Sequence, residues 1–195
     1  MQQPSIQKVR INTVAIAKVR AFTLIEVLIV LAIVATLCTI SMPSLASLVS
    51  SSRARTTQST LVTALALARM AAVTRQSEIT LCPSSDQNRC DASIWWQHGW
   101  IVFEDRDHDG QHGPTEPVLN VSQMFSQMAV ATTAGRERVV YRPDGSATGT
   151  NVTFTLCDRR GAKSASSVII NNAGRARHAP ATPAGAVAAC AGLNL

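Results

Sequence analysis

The sequence predicts an α+β fold in which one long N-terminal helix, its first half in a membrane and its second half amphipathic, packs on antiparallel β-sheets. Three patterns predict it. An apolar run long enough to span a bilayer lies near the N-terminus. An apolar period close to 3.6 residues follows it. After Gln76 come short β-branched and aromatic runs, punctuated by Gly, Pro and Asp.

Residues 22–42 form the membrane half. The stretch VLIVLAIVATLCTI is almost wholly apolar, Phe22, Leu24 and Ile25 extend it, and Glu26 is its one charge. About 20 such residues cross a bilayer as a helix. Residues 1–21 hold Lys8, Arg10, Lys18 and Arg20 and no acid, so this leader is expected in the cytoplasm and the rest of the chain outside. Residues 43–76 form the amphipathic half. Leu45, Leu48, Leu61, Leu65, Ala68 and Ala72 make the apolar stripe, with Val49, Val62 and Val73 beside it, and Arg53, Arg55, Arg69 and Arg75 lie on the other face. Pro43 removes a backbone donor and is expected to kink or locally melt the helix. Residues 77–195 form the globular β-rich domain. Strands are predicted at 78–82, 99–104, 117–121, 138–141, 151–156 and 167–170, with a turn at Arg142-Pro143-Asp144-Gly145. The Ala/Pro/Gly-rich tail from Ala179 is read as irregular until Cys190.

Of the 18 Lys and Arg, four lie in the leader; the remaining 14 face 12 Asp and Glu, so the chain after the leader is only mildly basic. Its excess is local. Arg159, Arg160, Lys163, Arg175 and Arg177 face a single acid, Asp158, which marks a candidate polyanion footprint. Cys38 lies in the apolar run and reads as a small hydrophobe. Cys82, Cys90, Cys157 and Cys190 lie in the exported part, where disulfides persist. Four cysteines allow three pairings. The favoured one is Cys82–Cys90, closing a short loop, with Cys157–Cys190 tying the tail to a strand. No Cys-x2-Cys pair suggests zinc. With no G-x-S-x-G elbow, P-loop or H-E-x-x-H, the chain reads as no enzyme and calls for no cofactor.

The apolar run admits three readings: a secretory signal cut near Leu45-Ala46-Ser47, a plain signal anchor, or a signal cut before the run. Ala21-Phe22-Thr23-Leu24-Ile25-Glu26-Val27-Leu28 resembles the type IV prepilin motif and selects the third. The resemblance implies cleavage by a prepilin peptidase between Ala21 and Phe22 and methylation of the new amine. It also implies an assembly role for Glu26 opposite a neighbouring subunit's N-terminus. Ala21 stands where that family usually has Gly. A carboxylate near a helix end costs less in the bilayer than one at its centre. The implied location is the inner membrane, single-pass, with a periplasmic domain, and then the pilus at the cell surface.

The second half resembles minor pilins and pseudopilins of the GspH/FimT class. The matching features are Gly99-Trp100-Ile101-Val102-Phe103, an acidic D-x-D-x-D-G loop, Tyr141-Arg142-Pro143-Asp144-Gly145, and a late strand running into Asn172-Ala173-Gly174-Arg175. Arg175 and Arg177, two apart after a strand, project to one side of an extended chain, and Gly174 permits a turn. Guanidinium forks suit phosphate oxygens. The Gly174-Arg175-Ala176-Arg177 pattern resembles the DNA-binding loop of FimT-type pilins, which serve DNA uptake in natural transformation. The resemblance covers Gly174, Arg175 and Arg177; Arg159, Arg160 and Lys163 are added as a weaker extension of the patch. The implied partners are DNA, other pilins, the prepilin peptidase and the inner membrane. The alternative is a structural subunit without DNA affinity, either a pilus-assembly minor pilin like FimU or a secretion pseudopilin like GspH.

Three further features receive plainer readings. Asp105, Asp107, Asp109, Gly110 and Glu116 fit the spacing of a calcium loop. A strand precedes them, His112 replaces an aliphatic residue, and Pro114 and Pro117 disturb the exit, so the loop reads as a solvated turn and no metal is assigned. His108 and His112 would pair only on a helix, which Gly110 and Gly113 disfavour. Trp95, Trp96 and Trp100 read as packing residues rather than base-stacking ones, although one of the adjacent pair can be exposed.

Overall fold

The computed structural model describes residues 22–123 and 125–193, with the backbone alone for residues 40–43. The leader, including Ala21, lies outside the described residues. The chain divides into two compact units at the Met42–Pro43 boundary. Helix α1 (Leu24–Arg75) supplies the first unit's described helix and opens the second. Its backbone is helical at Pro43, so the local melting expected there is absent.

In the first unit the helix starts at Thr23. The Thr23 hydroxyl accepts from the Glu26 amide at 3.3 Å, and the Thr23 carbonyl accepts from Val27. Thr-x-x-Glu is capping-box spacing, and it sets Glu26 in the first turn, at the positive end of the helix dipole. The dipole thus offsets part of the cost of a charge beside hydrocarbon. From Leu24 to Leu37 the large apolar side chains are exposed. A helix apolar all round and uncovered by its own chain suits a bilayer. Thr36 and Thr39 return their hydroxyls to the carbonyls of Ile33 and Thr36 at 2.8 Å, which leaves no donor to lipid. Cys38 is free and exposed.

In the second unit the remainder of α1 buries Thr57, Leu61, Ala64, Leu65, Ala68, Ala71 and Ala72. The spacing is that of one helical stripe. The predicted stripe starts too early: Leu45 and Leu48 are each 62% exposed, because the sheets cover the helix only from about Thr57 onward. Four alanines in this stripe let backbones approach closely.

Eight strands follow: β1 (Ile79–Pro83), β2 (Trp100–Glu104), β3 (Val118–Ser122), β4 (Met128–Thr132), β5 (Val139–Tyr141), β6 (Val152–Asp158), β7 (Ser166–Ile170) and β8 (Ala176–Pro180). They form two four-stranded antiparallel sheets, ordered β3-β2-β1-β5 and β4-β6-β7-β8. One face of each sheet joins α1 in a common core around Leu61, Leu65, Trp96, Trp100, Tyr141 and Phe154. Trp96 meets Phe154 edge-on at 4.9 Å, and Trp100 stacks on Phe125 at 5.0 Å.

The outer face of each sheet also has a cover, and each cover is held by a disulfide. On the first sheet Ile101 and Phe103 pack against Cys82 and Cys90, which are bonded to each other. On the second sheet Ala129, Ala131 and Cys157 pack under helix α2 (Pro183–Cys190), and Cys157 is bonded to Cys190. This helix replaces the irregular tail expected there. Thr182 caps it by accepting from Gly185, and Pro183 opens its first turn. The strands β4 and β8 are also absent from the sequence prediction. Met-Ala-Val-Ala-Thr is short and alanine-rich, and Ala-Arg-His-Ala-Pro has little β-propensity. Pairing with β6 and β7 makes them strands.

The disulfides close loops of different length, with sequence separations of 33 for Cys157–Cys190 and 8 for Cys82–Cys90. Chain-entropy scaling puts their contributions at roughly 4 and 2.5 kcal/mol. Replacing both cysteines of the longer bridge by serine is expected to lower the thermal midpoint more than the same change at the shorter one, as read by circular dichroism of the two variants.

Candidate nucleic-acid interface

The segment 171–175 joins β7 to β8 as a tight hairpin. The Gly174 amide donates to the Asn171 carbonyl at 2.9 Å, and the Asn171 amide donates to the Arg175 carbonyl at 3.4 Å. The Asn171 side chain accepts from the Arg175 amide at 3.1 Å. Gly174 takes φ +72°, the left-handed position that closes a three-residue hairpin. Arg175 therefore lies across from Asn171, and Arg177 pairs with Ile169 in the ladder. Residues two apart on one strand share a face. Both arginines are exposed, β8 is an edge strand, and among the described residues neither guanidinium makes a hydrogen bond or ion pair.

The hairpin is seated on two other elements. A Cβ on Gly174 would lie 2.2 Å from the Gly145 carbonyl and 3.0 Å from the Tyr141 ring. That same carbonyl accepts from Arg69 Nε at 2.9 Å, and the Asn172 carbonyl accepts from the Ala147 amide at 2.9 Å. Helix α1, the 142–145 turn and the β7–β8 hairpin thus converge on one carbonyl. Beside this junction runs a groove of about 650 Å³, lined by Val62, Arg69, Met70, Val73, Tyr141 and Arg175 among others. Tyr141 is fully buried and its hydroxyl has no partner among the described residues; burial pushes its pKa up to about 12, so it stays a neutral phenol.

The weaker extension of the patch does not assemble. Arg159, Arg160 and Lys163 lie on the β6–β7 connection, which meets β7 at Ser166, whereas the hairpin leaves β7 at Ile170. A five-residue strand separates them by on the order of 15 Å. Arg160 is moreover engaged: its Nε and Nη2 grip the buried Asp158 carboxylate, with a shortest contact of 2.6 Å, and this pairing raises its pKa. Arg159 and Lys163 remain exposed but lie at the opposite end of β7 from Arg175. Arg69 and Arg142 stand nearer the hairpin instead. Arg69 lines the same groove as Arg175, and Arg142 is exposed on the turn that carries Gly145. No sequence spacing relates them to Arg175; three separate elements meet only in the fold.

The remaining sequence candidates separate. Phe22 is exposed and Glu26 sits in the first turn of α1. Trp96 and Trp100 are wholly buried, and Trp95 is half-buried against Gly192 and α2, so the tryptophans form no stacking platform. His108 contacts Glu78 at 3.0 Å, while His112 lies between the carbonyls of Asn88 and Glu116. The two imidazoles therefore do not face one ligand.

A family model described as type II transport protein GspH matches residues 57–174, and one described as the prokaryotic N-terminal methylation motif matches residues 16–42. Among solved structures, the chain is similar to the type IV minor pilin FimU of Pseudomonas aeruginosa. The two are 19% identical, with a TM-score of 0.52, over 67% of this chain and 88% of that one. It is also similar to the minor pseudopilin EpsH from the type 2 secretion system of Vibrio cholerae. Here identity is 11% and the TM-score 0.47, over 66% of this chain and 97% of that one. No curated protein sequence matches significantly.

Gly174→Ala tests the junction. A methyl there meets a backbone carbonyl and sits at a φ that L-residues adopt at a cost, so a loss of about 2 kcal/mol is expected. Denaturant unfolding reads it. An unchanged midpoint would mean the hairpin is not held against Gly145.

Proposed function

The chain belongs to the GspH family, and from that premise we propose that it is a minor type IV pilin which captures extracellular DNA on the β7–β8 hairpin for uptake in natural transformation. The observation that carries this reading is the pair of exposed, unpaired guanidiniums on an edge hairpin whose backbone is fixed by Gly174. The methylation motif and the apolar helix anchor the chain in the inner membrane, with the β-rich domain on the periplasmic side before it enters a filament.

Phosphate recognition needs positive forks that do not have to be freed from a carboxylate first. Arg175 and Arg177 meet that condition and Arg160 does not. Arg69 and Arg142, which adjoin the hairpin, widen the positive surface that approaching DNA would meet. Contacts of this kind hold the backbone of the nucleic acid and read no bases. In assembly, the amine freed at Phe22 and the Glu26 carboxylate are the groups that would join neighbouring subunits, consistent with a carboxylate already favoured at the start of α1.

The test is binding of the purified full chain, in detergent, to duplex and single-stranded oligonucleotides across a salt series, beside an Arg175→Ala/Arg177→Ala variant. Affinity is expected to fall with salt. The double variant is expected to lose at least about tenfold and to flatten the log–log salt slope by about 2, one for each phosphate contact removed. If the intact chain binds neither form at low salt, the hairpin is no DNA receptor. The protein is then a structural subunit of a pilus or of a secretion filament.

A further inference from the structure

Between β2 and β3 the chain runs Asp105-Arg106-Asp107-His108-Asp109-Gly110 and closes at Glu116. One carboxylate oxygen from each of Asp105, Asp107 and Asp109 lies within 4.8 Å of the other two. Asp107 and Asp109 are exposed, but Asp105 is 1% exposed. Its Oδ2 accepts from the Thr80 hydroxyl at 2.9 Å and from the Gly110 amide at 3.1 Å. Its Oδ1 is buried and, among the described residues, has no hydrogen-bond partner. A carboxylate oxygen taken from water and left unpaired destabilises the fold.

Protein cations do not supply the missing partner. Arg106 Nε turns to Glu104 at 3.0 Å, and His108 turns to Glu78. Arg138, whose guanidinium lies over Gly110, donates to the main-chain carbonyl of Asp109 at 3.2 Å. Among the described residues no ion pair reaches Asp105, Asp107 or Asp109. The loop thus clusters three carboxylates, one of which has a buried, unsatisfied oxygen.

We propose that residues 105–116 form a binding site for a hard divalent cation of the calcium type. Asp105 Oδ1, Asp107, Asp109 and Glu116 are the oxygen donors, at the first, third, fifth and twelfth positions of the loop. Gly110, at φ +73°, occupies the sixth position, where the chain must reverse. Glu116 is held in place: its Oε1 accepts from the Arg106 amide at 2.7 Å and its Oε2 from the Gly113 amide at 2.8 Å. Each oxygen keeps a second lone pair for a metal. Carboxylate oxygens without Cys or His donors suit calcium rather than zinc, and an irregular loop suits calcium's variable geometry better than magnesium's strict octahedron. The strand preceding the loop argues against such a site when the sequence is read alone. The buried Asp105 oxygen reverses that reading. His112 donates toward Asn88 in the loop closed by Cys82–Cys90, so an ion here would also steady the cover of the first sheet.

The test is calorimetric titration of calcium chloride into the EDTA-stripped full chain in detergent, with thermal unfolding in parallel and magnesium chloride as the comparison. One saturable site per chain is expected, with Kd roughly 10⁻⁴–10⁻³ M as for extracellular calcium modules. At about ten times Kd the midpoint should rise by about 3 °C, and by less in magnesium. Asp107→Asn/Asp109→Asn alters exposed side chains only and is expected to weaken binding at least about tenfold and to abolish the shift. Asp144→Asn, on a turn outside the loop, should change neither. No saturable heat up to about 10 mM calcium, equal binding by the double variant, or an equal response to magnesium would each overturn the proposal.

Discussion

The rest of the structure depends on one buried stripe of α1. Leu61, Leu65 and the alanines at 64, 68, 71 and 72 form the wall against which both sheets pack. Full burial of each leucine contributes about 2 kcal/mol, and the alanines add little area but allow close approach. The two sheets share no strand, and their inner faces meet in one core to which this helix contributes. A helix that carries its own anchor on one part and a core wall on another ties the exported domain to the membrane segment by a single covalent element.

Once both inner faces are committed to α1, each outer face needs its own cover, and two short segments provide it. The loop closed by Cys82–Cys90 covers Ile101 and Phe103, and α2, tethered by Cys157–Cys190, covers Ala129 and Ala131. Neither cover is large enough to hold itself by area alone, so cross-links in an oxidising compartment do the holding. The polar loops that remain are then positioned by rigid neighbours. The β7–β8 hairpin rests on the Gly145 carbonyl, which Arg69 also engages, and the acidic loop rests on Thr80 and the disulfide loop.

Much of this was legible before any fold was known. The apolar run, the Glu26 motif, the six β-branched runs and the short Cys82–Cys90 loop all depend on neighbours in the chain, whereas Cys157–Cys190, at a sequence separation of 33, was only the favoured one of three pairings. Of the elements that escaped, β4 and β8 are short and carry alanines of low β-propensity, and α2, though its alanines favour helix, has only eight residues and is too short to form on its own. They form because β6 and β7 offer open ladders and the second sheet offers an uncovered face. Leu45 and Leu48 mark the opposite failure: their periodicity is real, but the sheets do not reach them.

The amino-acid order alone pointed to the membrane-length apolar run, the processing motif, the α+β class and a turn at Gly174 beside the arginine pair Arg175 and Arg177, because each is written in residues adjacent or periodic along the chain. Tertiary structure decided which charges act together. It parted Arg159, Arg160 and Lys163 from the hairpin by a strand length, brought Arg69 and Arg142 beside it, and buried one oxygen of Asp105 among acids without a cation. Electrostatic partnership falls off over a few ångströms of space, and distance in space is set by strand order and packing rather than by spacing in the sequence.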